Sequence, residues 1–183
     1  MNNIPPPSNA QSVNNESPNV HNITYGRNVK CENTFHRNVF LRIFRIILLR
    51  SITHIPMSNR IRCFCAKCAG VRFMNWRKAY IGEGVIFDSL FPENIYIGKG
   101  VHVTMRSIFL THSLDTKKSG INWKSHKIII SDGAFIGANT IICSSVVVGR
   151  NSIVGAGSVL TKDIPDDEIW GGIPAHFIKK RQL

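Results

Sequence analysis

Residues 128–165 read IIISDGAFIGANTIICSSVVVGRNSIVGAGSVLTKDIP, and their spacing decides the fold. An aliphatic side chain recurs at Ile130, Ile136, Ile142, Val148, Val154 and Leu160, every sixth residue without a slip. Small residues follow at Gly137, Cys143, Gly149 and Gly155. Four places after each aliphatic comes another small or β-branched residue: Ala134, Thr140, Val146, Ser152 and Ser158. An alternating strand has a period of two, and an amphipathic helix one of 3.6. A period of six suits a flat strand that ends in a tight corner, with the aliphatic on a narrow axis. The small residue keeps a Cβ out of the neighbouring backbone. Three such sides close one triangular coil. Stacked coils pair as parallel strands and share one core, so no coil is stable alone.

Upstream, the same signature is present but broken. Ile81-Gly82, Phe87, Ile97-Gly98, Val103 and Phe109 carry it. The step from 81 to 97 places a register break near Ser89–Asn94, which includes Pro92. The step from 109 to 130 holds THSLDTKKSGINWKSHK, a polar stretch that reads as a loop thrown out of the coil over 112–127. Loops on rigid scaffolds are where chemistry concentrates.

Outside the repeats, composition divides the chain. Residues 1–26 are rich in Asn, Pro and Ser and are expected to be disordered. Residues 27–74 form a basic, partly helical extension, 75–170 the β-helix, and 171–183 a C-terminal turn and short basic helix. The net charge of +12 is regional: residues 27–80 hold 12 Lys/Arg against the single acid Glu32. Such an excess suits an anionic membrane, an acidic substrate or nucleic acid. No nucleic-acid motif accompanies it, so nucleic acid is not expected as a partner. Residues 35–55, FHRNVFLRIFRIILLRSITHI, read as an apolar helix with interspersed arginines. It either docks on its own protein or a subunit neighbour, or lies on an anionic membrane surface. No basic and apolar leader pattern opens the chain, which makes the cytoplasm the expected compartment, with peripheral contact at the inner membrane face through 35–55. Cys63, Cys65 and Cys68 make one cluster where a structural zinc site normally takes four ligands, so free thiols on a short helix or loop are expected.

The hexads, the THSLD loop and the ending GSVLTKDIP…GGIPAHFIKKR together resemble the hexapeptide-repeat acetyltransferases. Within them the chain is most similar to the maltose/galactoside and surface-polysaccharide O-acetyltransferase group. The resemblance covers about residues 75–183. It implies an all-β, left-handed parallel β-helix, a homotrimer with sites between subunits, a saccharide acceptor, and acetyl-CoA as donor without a metal. It points to His112 as the catalytic position. A sugar hydroxyl needs a base to take its proton, and a neutral imidazole can take it and pass it to the leaving thiolate. Asp115 could orient that imidazole as a triad acid does, or could be a solvated turn residue. Trp123 could wall the sugar or pantetheine, or serve as a packing anchor. His102 and His126 are weaker candidates.

For the donor, the resemblance implies contacts at Ala138, Ala156, Thr161, Lys162, His176 and Lys179. Lys162 could instead be a solvated corner lysine. His176 stands where the family usually carries arginine or lysine, which shifts phosphate binding toward Lys179–Arg181. Rival readings are a zinc enzyme with three aligned histidines, a non-catalytic β-helix scaffold subunit, a serine acetyltransferase, and an N-acetyltransferase of an amino sugar. The first is disfavoured because His102, His112 and His126 do not share hexad positions.

Overall fold

The structure, a computed structural model, describes residues 39–115 and 123–182. The expected disordered segment 1–26, the first part of the basic extension and loop residues 116–122 lie outside the described residues.

Three parallel sheets form the sides of a triangular prism. Side 1 stacks β1 (Arg72–Phe73), β4 (Ile95–Ile97), β9 (Ile128–Ile130) and β12 (Val146–Val148). Side 2 stacks β2 (Tyr80–Ile81), β5 (His102–Val103), β10 (Phe135–Ile136), β13 (Ile153–Val154) and β15 (Glu168–Gly172). Side 3 stacks β3 (Ile86–Phe87), β6 (Ile108–Phe109), β11 (Ile141–Ile142) and β14 (Val159–Leu160). The hexad aliphatics fill the axis: Ile130, Ile136, Ile142, Val148, Val154 and Leu160 are each 1% exposed or less. The coils begin slightly before the expected residue 75, at Arg72.

The small residues of the hexad have two separate jobs. Gly137 and Gly149 sit against the next coil, where an added Cβ would lie 2.4 Å from the Ala156 nitrogen or the Pro165 carbonyl carbon. The polar residue at the fourth place folds back into its own corner. Ser107, Thr140, Ser152 and Ser158 each donate to the carbonyl three residues earlier, at 2.6–3.1 Å. These hydroxyls are buried, so the bonds remove a desolvation cost as well as fixing the turn.

Helices α1 (Val39–His54) and α2 (Asn59–Ala69) precede the coils. The expected helix over 35–55 is formed at Val39–His54 within the described residues, and Leu49 and Ile52 dock it onto the protein. Arg62 on α2 is buried and donates to the Ile81 and Met57 carbonyls. Cys63, Cys65 and Cys68 all lie on α2, and burial pushes the Cys63 thiol up to about 11. Among the described residues no group of three or more His, Cys, Asp or Glu side chains is placed to hold a metal. No described helix is long and apolar enough to cross a membrane.

The expected C-terminal helix is not formed. Residues Ala175–Lys180 are a strand, β16, antiparallel to β15. β15 pairs with β13 on one edge and leaves the other edge open, and a six-residue run is too short to hold a helix by itself. Pairing satisfies both strands' backbone groups, and Gly172 with φ of 100° begins the turn between them.

Candidate active site

The coils are not equally long. Ile136 to Val154 takes 18 residues, Ile81 to Val103 takes 22, and Val103 to Ile136 takes 33. In both longer coils the surplus leaves the prism at the corner between sides 3 and 1. In the first, it forms a 3-10 turn at Pro92–Asn94. In the second, it forms a hairpin of β7 (His112–Leu114) and β8 (Trp123–Ser125), the ends of the loop foreseen over 112–127. Phe87 is in register with Phe109. Asp88 therefore lies one coil beneath the root of the hairpin, and its N–H donates to the Phe109 carbonyl at 3.0 Å.

That stacking builds a dyad. The His112 Nδ1 is 2.5 Å from Asp88 Oδ2. Thr111 donates to the same oxygen through its N–H and its hydroxyl, both at 2.8 Å, and the Leu90 N–H donates to Oδ1 at 2.9 Å. The Asp88 side chain is 5% exposed and that of His112 24%. Burial pushes the Asp88 carboxyl up. The Leu90 amide, the His112 ring and the Thr111 donors outweigh it and hold the group below its ordinary value. An ionised Asp88 makes Nδ1 the protonated nitrogen of a neutral ring, which leaves the Nε2 lone pair as acceptor.

The acid on Nδ1 is thus Asp88, the role that three-residue spacing suggested for Asp115. Alternation along β7 puts His112 and Leu114 on one face and Ser113 on the other. Asp115, just past the strand, starts from the face opposite His112. Nothing in the local sequence marks Asp88. Its signal is positional, at the corner after a hexad aliphatic, one coil before the excursion.

Trp123 shares the face of His112, its ring centroid 5.2 Å away at 70°. It is 54% exposed, which fits a wall over the histidine and not a buried anchor. On the opposite face, His126 is buried with Nε2 2.7 Å from Ser113 Oγ. Its Nδ1 has no hydrogen-bond partner among the described residues. Burial, then the charges of Lys124 and His112, lower its proton affinity. His102 is exposed on side 2, stacked on Tyr80 with centroids 5.8 Å apart, and stands apart from the dyad.

The expected donor-site residues fall in three places. Ala138 and Ala156 stack on the corner between sides 2 and 3, where the Gly157 N–H donates to the Ala138 carbonyl at 2.7 Å. Thr161 and Lys162 are exposed on the corner that carries His112, two coils further on. Side 3 lies between these two groups. His176 and Lys179 are exposed on β16, at the end of the side 2 stack.

Residues 127–162 match the family described as bacterial transferase hexapeptide (six repeats). The family's repeat is thus matched over 127–162, the regular coils of the prism. Among solved structures, it is similar to a hexapeptide-repeat-containing acetyltransferase from Vibrio cholerae, with a TM-score of 0.59 and 22% identity over 79% of this chain and 92% of that one. The Vibrio protein has also been solved complexed with acetyl-coenzyme A. A maltose O-acetyltransferase from Clostridium difficile gives a TM-score of 0.55 and 21% identity, covering 80% of this chain and 90% of that one. These likenesses bear out the left-handed parallel β-helix. Among curated proteins, a bifunctional protein GlmU from Carboxydothermus hydrogenoformans is 38% identical over 95 residues, 51% of this chain. The chain spans about a fifth of that relative's length.

Proposed function

We propose that this hexapeptide-repeat protein is an acetyl-CoA-dependent O-acetyltransferase acting on a hydroxyl of a sugar or surface-polysaccharide precursor. The observation that carries the reading is the buried Asp88 carboxylate held 2.5 Å from Nδ1 of a partly exposed histidine, at the corner where the repeat opens. His112 Nε2 takes the proton of the acceptor hydroxyl as its oxygen attacks the thioester carbonyl. The carbon–sulfur bond breaks, and the imidazolium returns the proton to the departing thiolate. Asp88 fixes the tautomer and stabilises the imidazolium in between. Thiolate leaves readily, so no covalent enzyme intermediate is required.

The donor reading is supported by the Vibrio neighbour's complex with acetyl-coenzyme A and by side 3. That side links backbone groups at Ala138 and Ala156 to Thr161 and Lys162. Lys162 and Lys179 are exposed and suited to pairing with phosphates. Trp123 is the acceptor wall. A homotrimer fits the outward rows Tyr80, His102, Phe135 and Ile153 on side 2 and Ile86, Ile108 and Ile141 on side 3, mostly apolar ladders that the described residues leave exposed or half-buried.

Thiol release from acetyl-CoA with a panel of nucleotide sugars, lipid-linked saccharides and free saccharides tests the reading. Turnover with one acceptor class, lost in His112→Ala, is expected. A wild-type chain that binds no coenzyme A and matches the variant refutes the reading. Products acetylated on nitrogen would move the acceptor to an amino sugar while keeping the same base.

A further inference from the structure

Helix α1 has two apolar sides, and the described residues cover one. Leu49 and Ile52 are buried, and Arg45 reaches Glu93 at 3.4 Å, so these positions face the body of the molecule. At 100° per residue, Val39, Phe40, Ile43, Phe44 and Ile47 lie on the opposite side. They are 69%, 88%, 50%, 51% and 58% exposed. The outer face of a docked surface helix is ordinarily its polar one. Helix α2 repeats the pattern on a smaller scale. Ile61 and Phe64 are exposed, and Phe64 tilts against Trp76 at 5.8 Å with Arg77 over the indole at 5.0 Å.

Charge decides what covers this face. Residues 39–80 contain nine Lys/Arg and no Asp or Glu. Arg45 and Arg62 are turned inward, and a second copy would bring its own exposed Arg42, Arg50 and Arg60 against the first copy's. An anionic bilayer surface offers both the apolar layer for the phenylalanines and the counter-charge for the arginines. We propose that the outer face of α1 lies flat in the interfacial layer of an anionic lipid bilayer, with Phe40 and Phe44 inserted and Arg50 and Arg60 at the headgroups. The helix is about 24 Å long at 1.5 Å per residue, enough to lie along the interface. The proposal is independent of the catalytic reading and holds equally for a His112→Ala chain.

Co-sedimentation of the full chain with phosphatidylcholine vesicles, with and without phosphatidylglycerol, tests it. The anionic vesicles should bind about tenfold tighter or more, and salt should weaken that binding. Phe40→Asp with Phe44→Asp should abolish binding without changing thermal unfolding. Arg50→Glu with Arg60→Glu should weaken binding to anionic vesicles alone, and this pair with the salt titration decides the matter if the first pair fails to fold. Failure of the wild-type chain to sediment with anionic vesicles overturns the proposal, as does binding unchanged by either pair. A drop in sedimentation-equilibrium mass in Phe40→Asp/Phe44→Asp, with vesicle binding retained, assigns the face to self-association and also overturns it.

Discussion

The coils from Ile128 to Ile164 and those from Arg72 to Lys127 have the same cross-section and opposite uses. The later coils keep six residues per side, and at Thr140, Ser152 and Ser158 the corner ends in a self-contained turn folded onto the carbonyl three residues earlier. Nothing in them is both titratable and buried. The earlier coils carry surplus residues twice at one corner, and there Asp88, Thr111, His112 and His126 come together. A strictly regular repeat has no way to bury a carboxylate with four donors. The interruption supplies the donors, and the stacking beneath it supplies the carboxylate.

The sharpest way to break this comparison is to remove the base. His112→Ala should lower acetyl transfer by about 10³-fold, the usual worth of a positioned general base. Its thermal unfolding should stay close to wild type, because the ring is partly exposed. Steady-state thiol release together with a melting curve checks both parts. In the regular coils the order reverses. Ile136→Ala empties a fully buried position and should cost about 2–5 kcal/mol of stability. Transfer per folded molecule should survive, and denaturant titration alongside activity separates the two effects. Equal losses of activity and stability in both variants would mean that the two regions are not functionally distinct.

Asp88→Asn sharpens the same division. The amide keeps the shape of the carboxylate but can donate to Nδ1, which turns the neutral ring so that Nε2 carries the proton. Transfer should fall about 10²-fold, less than for His112→Ala. The rate should also respond differently to pH, since no anion remains to stabilise the imidazolium. A pH–rate profile superimposable on wild type would remove Asp88 from the mechanism. The sign for stability follows from the lowered carboxyl. Asp88 contributes above the ordinary carboxylate range, and that contribution is lost as pH falls through its depressed value.

How much of this was legible beforehand differs between the same two regions. Six aliphatics at fixed spacing are a one-dimensional signal for a stacked fold, and Ile130 to Leu160 sit where the period puts them. His112 stood out because the family resemblance pointed to it, on the stretch where the period fails. Asp88 did not, since its partnership is made by coil stacking across 24 residues of chain. Spacing along the strand pointed to Asp115, which the alternation of β7 turns away from the ring. The terminal residues misled for a related reason. The sequence AHFIKK has no strong local preference, and the open edge of β15 decided its conformation.

His126 gives the smallest expected effect and the finest test of the contrast. It is buried beside Ser113, and desolvation, Lys124 and His112 all disfavour its charged form, with only Asp88 acting the other way. A histidine whose folded proton affinity is depressed binds fewer protons in the native state than in the unfolded one. Its neutral form therefore contributes fully above the ordinary histidine value of about 6.5, and the contribution fades as pH falls below it. The hairpin of β7 and β8 should loosen first, because His126 ties it to the prism through its N–H to the Thr111 carbonyl and its ring to Ser113. Protection factors at residues 112–114 and 123–125, which remove the intrinsic pH dependence of amide exchange, should fall between pH 7 and pH 5, while those at 141–160 stay unchanged. His126→Gln should flatten that dependence, because glutamine can hold the Ser113 hydroxyl without titrating. If protection in the hairpin does not change over that range, His126 is a packed side chain with no pH role. If residues 141–160 loosen in parallel, the whole prism senses the acid, and the division between regular and interrupted coils does not extend to stability.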